Sequence, residues 1–231
     1  MKTELILLGL GVLLVQGAQA HSSCASDGRA APTTLVERFI SADCQACWSE
    51  PATDRTPARA LTLDWIVPGA QGDDAPLSVA ASRDALTRLQ TLGRAAPATA
   101  STVTTPVSGR RAPQLRVAHG PAFNDYIGAS IEMKPAAKGQ WNAWLLLVET
   151  IPQETDGTPV SRNLVRNLLQ SSWNGPYSLS KSEQNRFYES RPLTIPAGAN
   201  PDRLSVVGWV EDTQGRIRSI AQSHCTPVAR P

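Results

Sequence analysis

Cys44 and Cys47, in the run Cys44-Gln45-Ala46-Cys47, are the residues of this 231-residue chain whose type and spacing most directly offer chemistry. On the first turn of a helix, two sulfurs at that spacing form either a disulfide or a working dithiol. The positive end of the helix and its free N–H groups favour a thiolate on the first cysteine. Cys44 would then attack a partner, and Cys47 would resolve the mixed disulfide. Other chemistries fit less well. Haem attachment requires a histidine directly after the second cysteine, where Trp48 stands. Zinc requires further soft or imidazole ligands, and the chain offers only Cys24, Cys225, His21, His119 and His224, so no metal site is assigned. No cofactor is expected. The remaining alternative is a structural Cys44–Cys47 disulfide without activity.

The supporting residues leave choices open. Glu37 could face the sulfurs as a buried proton acceptor, although a solvent-facing carboxylate is the simpler reading. Trp48 could cover the site or fill the core, and packing is the commoner fate of a tryptophan. Arg162 and Arg166, read one helical turn apart, could grip an anion but fit a solvated helix face better. Cys24 and Cys225 stand near the two ends of the chain as a candidate structural disulfide, or as free thiols, since sequence alone does not place two Cα atoms within bonding reach.

The Cys44–Cys47 pair follows a strand over 33–40 and a turn over 41–43, in which Asp43 is a candidate helix cap. Pro51 and Pro57 limit the helix that carries the cysteines. A second strand covers Leu61 to Val67, and a helix is predicted over Leu77 to Leu92, with Leu77, Ala81, Ala85, Leu89 and Leu92 on one stripe. This β-α-β-α order begins an α/β sheet. Residues 94–113, rich in Ala, Pro, Thr, Ser and Gly, read as a linker or crossing segment. Strands are then predicted over 114–119, 126–133, 141–148, 204–211 and 216–223. A helix over 160–170 interrupts them, its stripe made by Leu164, Val165, Leu168 and Leu169.

Residues 1–20 carry Lys2, an apolar core from Leu5 to Val15 and the small-x-small site Ala18-Gln19-Ala20, so a secretory signal peptide is expected there. No later segment is long and apolar enough to span a bilayer. About 211 residues would remain, enough for one large or two small domains. A net charge of +2 gives no reason to expect nucleic acid as a partner. All four cysteines lie beyond the signal, where an oxidising compartment would let disulfides persist.

The run Leu35-Val36-Glu37-Arg38-Phe39, followed by Cys44-Gln45-Ala46-Cys47, resembles the opening "vELFtSxxCxxC" of the exported bacterial thioredoxin-like proteins grouped as domain of unknown function family 1223. The later run Ser161-Arg162-Asn163-Leu164-Val165-Arg166-Asn167-Leu168-Leu169, with Trp173-Asn174-Gly175, is similar to that family's "nvVRxLxxlGxWxG". The resemblance implies a thioredoxin-like N-terminal domain, a C-terminal β-domain and Cys44 with Cys47 as the active pair, but no substrate. Where the family has prolines directly after the second cysteine, this chain has Trp48-Ser49-Glu50. A thioredoxin-like site also calls for a cis-proline facing the dithiol, for which Pro106 is the first choice and Pro113 the second.

The expected fold is α/β plus all-β: a shortened thioredoxin-like N-terminal domain, then an antiparallel β-sandwich-like C-terminal domain with one crossing helix. Its segments are a signal peptide (1–20), an irregular lead-in (21–32), a thioredoxin-like region (33–100), a linker or cis-Pro segment (101–113) and a β-domain (114–231). The expected function is thiol-disulfide exchange with cysteine-containing exported proteins, in the periplasm or secreted. The competing reading is a noncatalytic binding or assembly module. The oligomeric state is left open.

Overall fold

Runs of β-branched and aromatic residues account for most of the regular structure, because such side chains suit a pleated, covered surface. The computed structural model describes residues 24–50, 57–109, 113–134, 139–174 and 186–225, and the signal peptide expected over 1–20 lies outside them. In chain order the elements are β1 (Cys24–Ala25), β2 (Thr34–Ser41), α1 (Gln45–Ser49), β3 (Ala60–Val67), α2 (Arg83–Thr91) and β4 (Ala100–Pro106). There follow β5 (Gln114–Phe123), β6 (Tyr126–Lys134), β7 (Gln140–Ile151), β8 (Arg162–Asn174), β9 (Phe187–Thr194), β10 (Leu204–Glu211) and β11 (Ile217–Gln222). The described residues are thus mostly β, arranged in two sheets. No helix among them is long and apolar enough to cross a membrane.

The larger sheet has seven strands in the order β11-β10-β7-β8-β3-β2-β4. β2 lies parallel to β3, and β3 parallel to β8; the other neighbours are antiparallel. Both faces of β2 and β3 are covered, so each strand directs apolar residues to both sides, with Glu37 and Asp64 buried and Arg38 half-buried among them in ion pairs. One face carries Leu35, Phe39, Trp65, Trp144, Val207 and Trp209 in a single core. α2 lies on this face through Ala85 and Leu89.

Arg88 of α2 shows how far the sheet bends. Its guanidinium donates to Glu37 on β2 at 2.8 and 2.9 Å and to Glu211 on β10 at 2.9 Å. Those strands stand four steps apart in the sheet, about 19 Å if it were flat at roughly 4.8 Å per step. The sheet must therefore curl around α2. Its two edges approach as well, since Ser108, just past β4, donates its N–H to the Ile217 carbonyl of β11 at 2.8 Å.

The smaller sheet, β1-β5-β6-β9, packs on the opposite, convex face. Val117, Ile131, Met133 and Phe187 meet Leu145 and Val206 there. Gly208 of β10 marks the closest approach: a Cβ at that position would fall 2.7 Å from Val117 and 2.8 Å from Ile131. Farther along the same face, Ile40, Trp48, Ile66, Ile151 and Leu164 form a third cluster beneath α1.

Several expectations need correction. The helix over 77–92 is a 3-10 turn at Ser78–Ala80, followed by α2. Ser82 divides them by taking the Asp84 N–H at 3.0 Å as an N-cap. The linker segment over 101–113 contains most of β4, whose Thr102, Thr104 and Thr105 pair along β2. The helix over 160–170 is strand β8, paired with β7 from Ile151↔Arg162 to Gln140↔Asn174. A register shift beside Leu147 and Val148 inserts an extra residue in β8. Val165 and Leu168 can therefore share the concave face, while Leu164 and Leu169 take the convex one. That spacing imitates a helical stripe. The seven-stranded sheet and its concave core draw strands from both 33–100 and 114–231, so the expected boundary between those segments falls within one sheet.

Candidate functional site

β2 delivers Cys44 to the start of α1, on the convex side of the large sheet. The Cys44 N–H donates to the Ser41 carbonyl at 3.0 Å, closing the turn. Cys44 and Cys47 are joined as a disulfide, with Cα atoms 5.3 Å apart. Both cysteines are partly accessible. Cys44 itself occupies the N-cap position, and its Sγ accepts the Cys47 N–H at 3.3 Å. Asp43, the expected cap, instead accepts from Ala70 N–H at 2.7 Å and Gln71 N–H at 3.2 Å. It ties the turn to the loop after β3, where a side chain on Gly69 would collide with its carboxylate.

Trp48 is buried and donates its indole N–H to the Asp156 carbonyl at 2.8 Å. The end of α1 is held by Arg162, which is buried on β8, not on a solvated helix face. Its Nη2 donates to the Trp48 carbonyl at 2.6 Å, the Glu50 carbonyl at 2.8 Å and, at 3.4 Å, the Cys47 carbonyl. A cation beside the last carbonyls of a helix satisfies groups that have no partner within it. Arg162 also bonds Thr158 at 2.8 Å, reaches Asp64 at 3.3 Å and stacks 4.8 Å over the Trp48 ring. Burial draws the Arg162 pKa below its ordinary value, against the opposing pull of Asp64.

Asp64 on β3 lies between Arg162 and Arg38, the latter at 2.8 Å. Burial pushes the Asp64 carboxyl upward, although both arginines oppose that shift. This Arg38–Asp64–Arg162 set is the charged layer closest to α1. Glu37, in contrast, is fully buried on the concave face with Arg88. The solvent-facing expectation for Glu37 is therefore corrected, and its arginine partner explains how a carboxylate sits in that core. Arg166 pairs with Glu149 at 2.6 Å and is not free to grip an anion with Arg162.

The expected prolines are elsewhere. Pro106 pairs with Thr34, at the far end of β2, roughly 23 Å from Ser41 at about 3.3 Å per residue. Pro113 directly precedes β5 in the smaller sheet. The register brings a different proline toward the cysteine end. The Thr99 carbonyl, just before β4, accepts the Ser41 N–H at 2.7 Å, and Pro97 stands two residues before Thr99. Reading 101–105 as a strand of threonine and valine would have pointed to Pro97 as the proline at its entrance. Beside α1 a groove of about 220 Å³ is lined by Trp48, Ile66, Leu77, Val79, Leu164 and Arg166.

Cys24 and Cys225 form the second disulfide, closing a sequence separation of 201. No protein-family model, curated protein or solved structure matches this chain.

Proposed function

We propose that the protein is an exported thiol-disulfide exchange protein acting through Cys44 and Cys47. The observation that carries the reading is the placement of this partly accessible disulfide between β2 and the parallel strand β3, with the Cys47 N–H directed at Cys44 Sγ. A donor to that sulfur favours the thiolate over the thiol. A C-x-x-C within a β-α-β unit also agrees with the thioredoxin-like resemblance of the N-terminal segment to family 1223. Two disulfides fit an oxidising compartment, in line with the expected signal peptide. Partners would be exported proteins bearing cysteines, with the groove beside Trp48, of mixed polar and apolar lining, offering a surface for the chain around them.

In the reduced form, the Cys44 thiolate attacks a partner disulfide and expels one partner thiolate, forming a mixed disulfide. The Cys47 thiolate then attacks Cys44 Sγ, restores the Cys44–Cys47 bond and releases the second partner thiolate. Two electrons pass to the partner, and the reverse sequence oxidises a partner dithiol. Cys47 suits the resolving role because it packs against the apolar cluster beneath α1.

Alkylation and peptide mass spectrometry across a glutathione redox series tests this reading. Cys44–Cys47 is expected to titrate between about −270 and −120 mV, the range of disulfide oxidoreductases. Cys47→Ala is expected to retain partners on Cys44 as mixed disulfides. A pair that stays oxidised below about −300 mV, together with an empty trap, would establish the noncatalytic binding module instead.

A further inference from the structure

The second disulfide has a neighbour that a purely structural bridge does not need. Cys24 on β1 is the direct ladder partner of His119 on β5, and both are buried. The sulfurs of Cys24 and Cys225 and a ring nitrogen of His119 lie within 4.8 Å of one another. His119 Nδ1 lies 2.8 Å from the Gly120 carbonyl, so in the neutral ring it donates its proton there. Nε2 then carries a lone pair. It is buried and has no hydrogen-bond partner among the described residues. A buried acceptor without a donor is disfavoured unless something occupies its lone pair.

We propose that, once the Cys24–Cys225 bond is reduced, Cys24, Cys225 and His119 form a binding site for a soft d10 cation, Zn2+ or Cu+. Two thiolates and an imidazole make a donor set that both ions accept, with a further position left for water or another ligand. The Nδ1–H to carbonyl bond is the outer support that orients a ligating histidine and fixes its tautomer. Cys225 is exposed and supplies the route of entry.

A dithiol can supply the reduction. One of its thiolates attacks Cys225 Sγ and breaks the Cys24–Cys225 bond, releasing the Cys24 thiolate. The second thiolate displaces Cys225 from the mixed disulfide, so two electrons enter the protein and the reductant leaves as a disulfide. Binding of the cation then displaces the protons of the two thiols. The site stands independently of the role given to Cys44 and Cys47.

The test uses the full chain carrying Cys44→Ser and Cys47→Ser, which leaves one cysteine pair, reduced by a phosphine. Zn2+ alone and Cu+ alone are titrated against a chromophoric chelator, and Co2+ is added to read thiolate-to-metal charge transfer. One equivalent of Zn2+ or of Cu+ is expected, and none with the disulfide intact. Since outer-shell changes already weaken metal sites about 10- to 100-fold, His119→Ala is expected to weaken binding at least about 100-fold, with His119→Gln as a second variant if the first misfolds. If reduction abolishes the near-UV circular dichroism, the cation is expected to restore it. Binding of neither ion, binding unchanged in both His119 variants, or a failure to restore structure would each overturn the site.

Discussion

Arg88 is surrounded by Glu37, Glu211, Trp144 and Trp209, and it is almost wholly withdrawn from water. Burial alone would lower its pKa, but the two carboxylates outweigh that effect and raise it. Arg88→Met leaves both carboxylates in the core with their cation removed and is expected to cost about 3–5 kcal/mol in urea unfolding. Replacing the whole set, with Glu37→Met and Glu211→Leu added, is expected to recover most of that loss, because the desolvated charges leave together. Asp212 provides a pH-dependent counterpart in the turn after β10. Burial would raise its pKa, but hydrogen bonds from the Arg216 side chain and backbone, Gln214 N–H and Arg218 outweigh this and hold it below 3.8. A depressed acid contributes stability that is present above its unfolded value and is lost as pH falls through its folded one. The stability advantage over Asp212→Asn, read by urea midpoints at a series of pH values, is therefore expected to be full above about pH 4 and to decline below it. The Arg88 cluster was not legible in the sequence. Glu37 and Arg88 are 51 positions apart, and Glu211 is 123 from Arg88, so no local pattern announced this set.

Gly208 lets β10 lie close beneath β5 and β6, and its substitution tests the packing of one sheet on the other. Gly208→Val crowds Val117 and Ile131 and is expected to destabilise by about 1–3 kcal/mol, the usual effect of overpacking. Adding Ile131→Val should return part of the loss in the urea midpoint, because it withdraws one of the two colliding methyl groups. β2, β3, β10 and β11 could be read from sequence because β-branched and aromatic residues recur along them between clear turns. β8 could not. Its extra residue shifts the two-residue alternation and puts Val165 and Leu168 on one face, a spacing proper to a helix. The position of the cysteine pair after β2 was readable for the opposite reason: every signal for it lies within residues 33–47. The approach of Pro97 to the end of β2 could not be foreseen, because it depends on β4 pairing back across β2, which sequence order alone does not reveal.

Cys24 and Cys225 join the first and last described strands' surroundings into one closed loop of the chain. For a loop of this length the chain-entropy model assigns about 5 kcal/mol, to be read as an upper figure. The double variant Cys24→Ser, Cys225→Ser is expected to lose up to about that much in urea unfolding, with no change in the Cys44–Cys47 potential. The curl of the large sheet carries a consequence for how the molecule is assembled. Arg88 and Glu37 emerge early from the ribosome, while Glu211 emerges near the end. The concave core cannot be completed until β10 arrives, so folding must wait for almost the entire chain and rests on contacts between distant segments. A chain built this way keeps its concave core open until its last strands have been made.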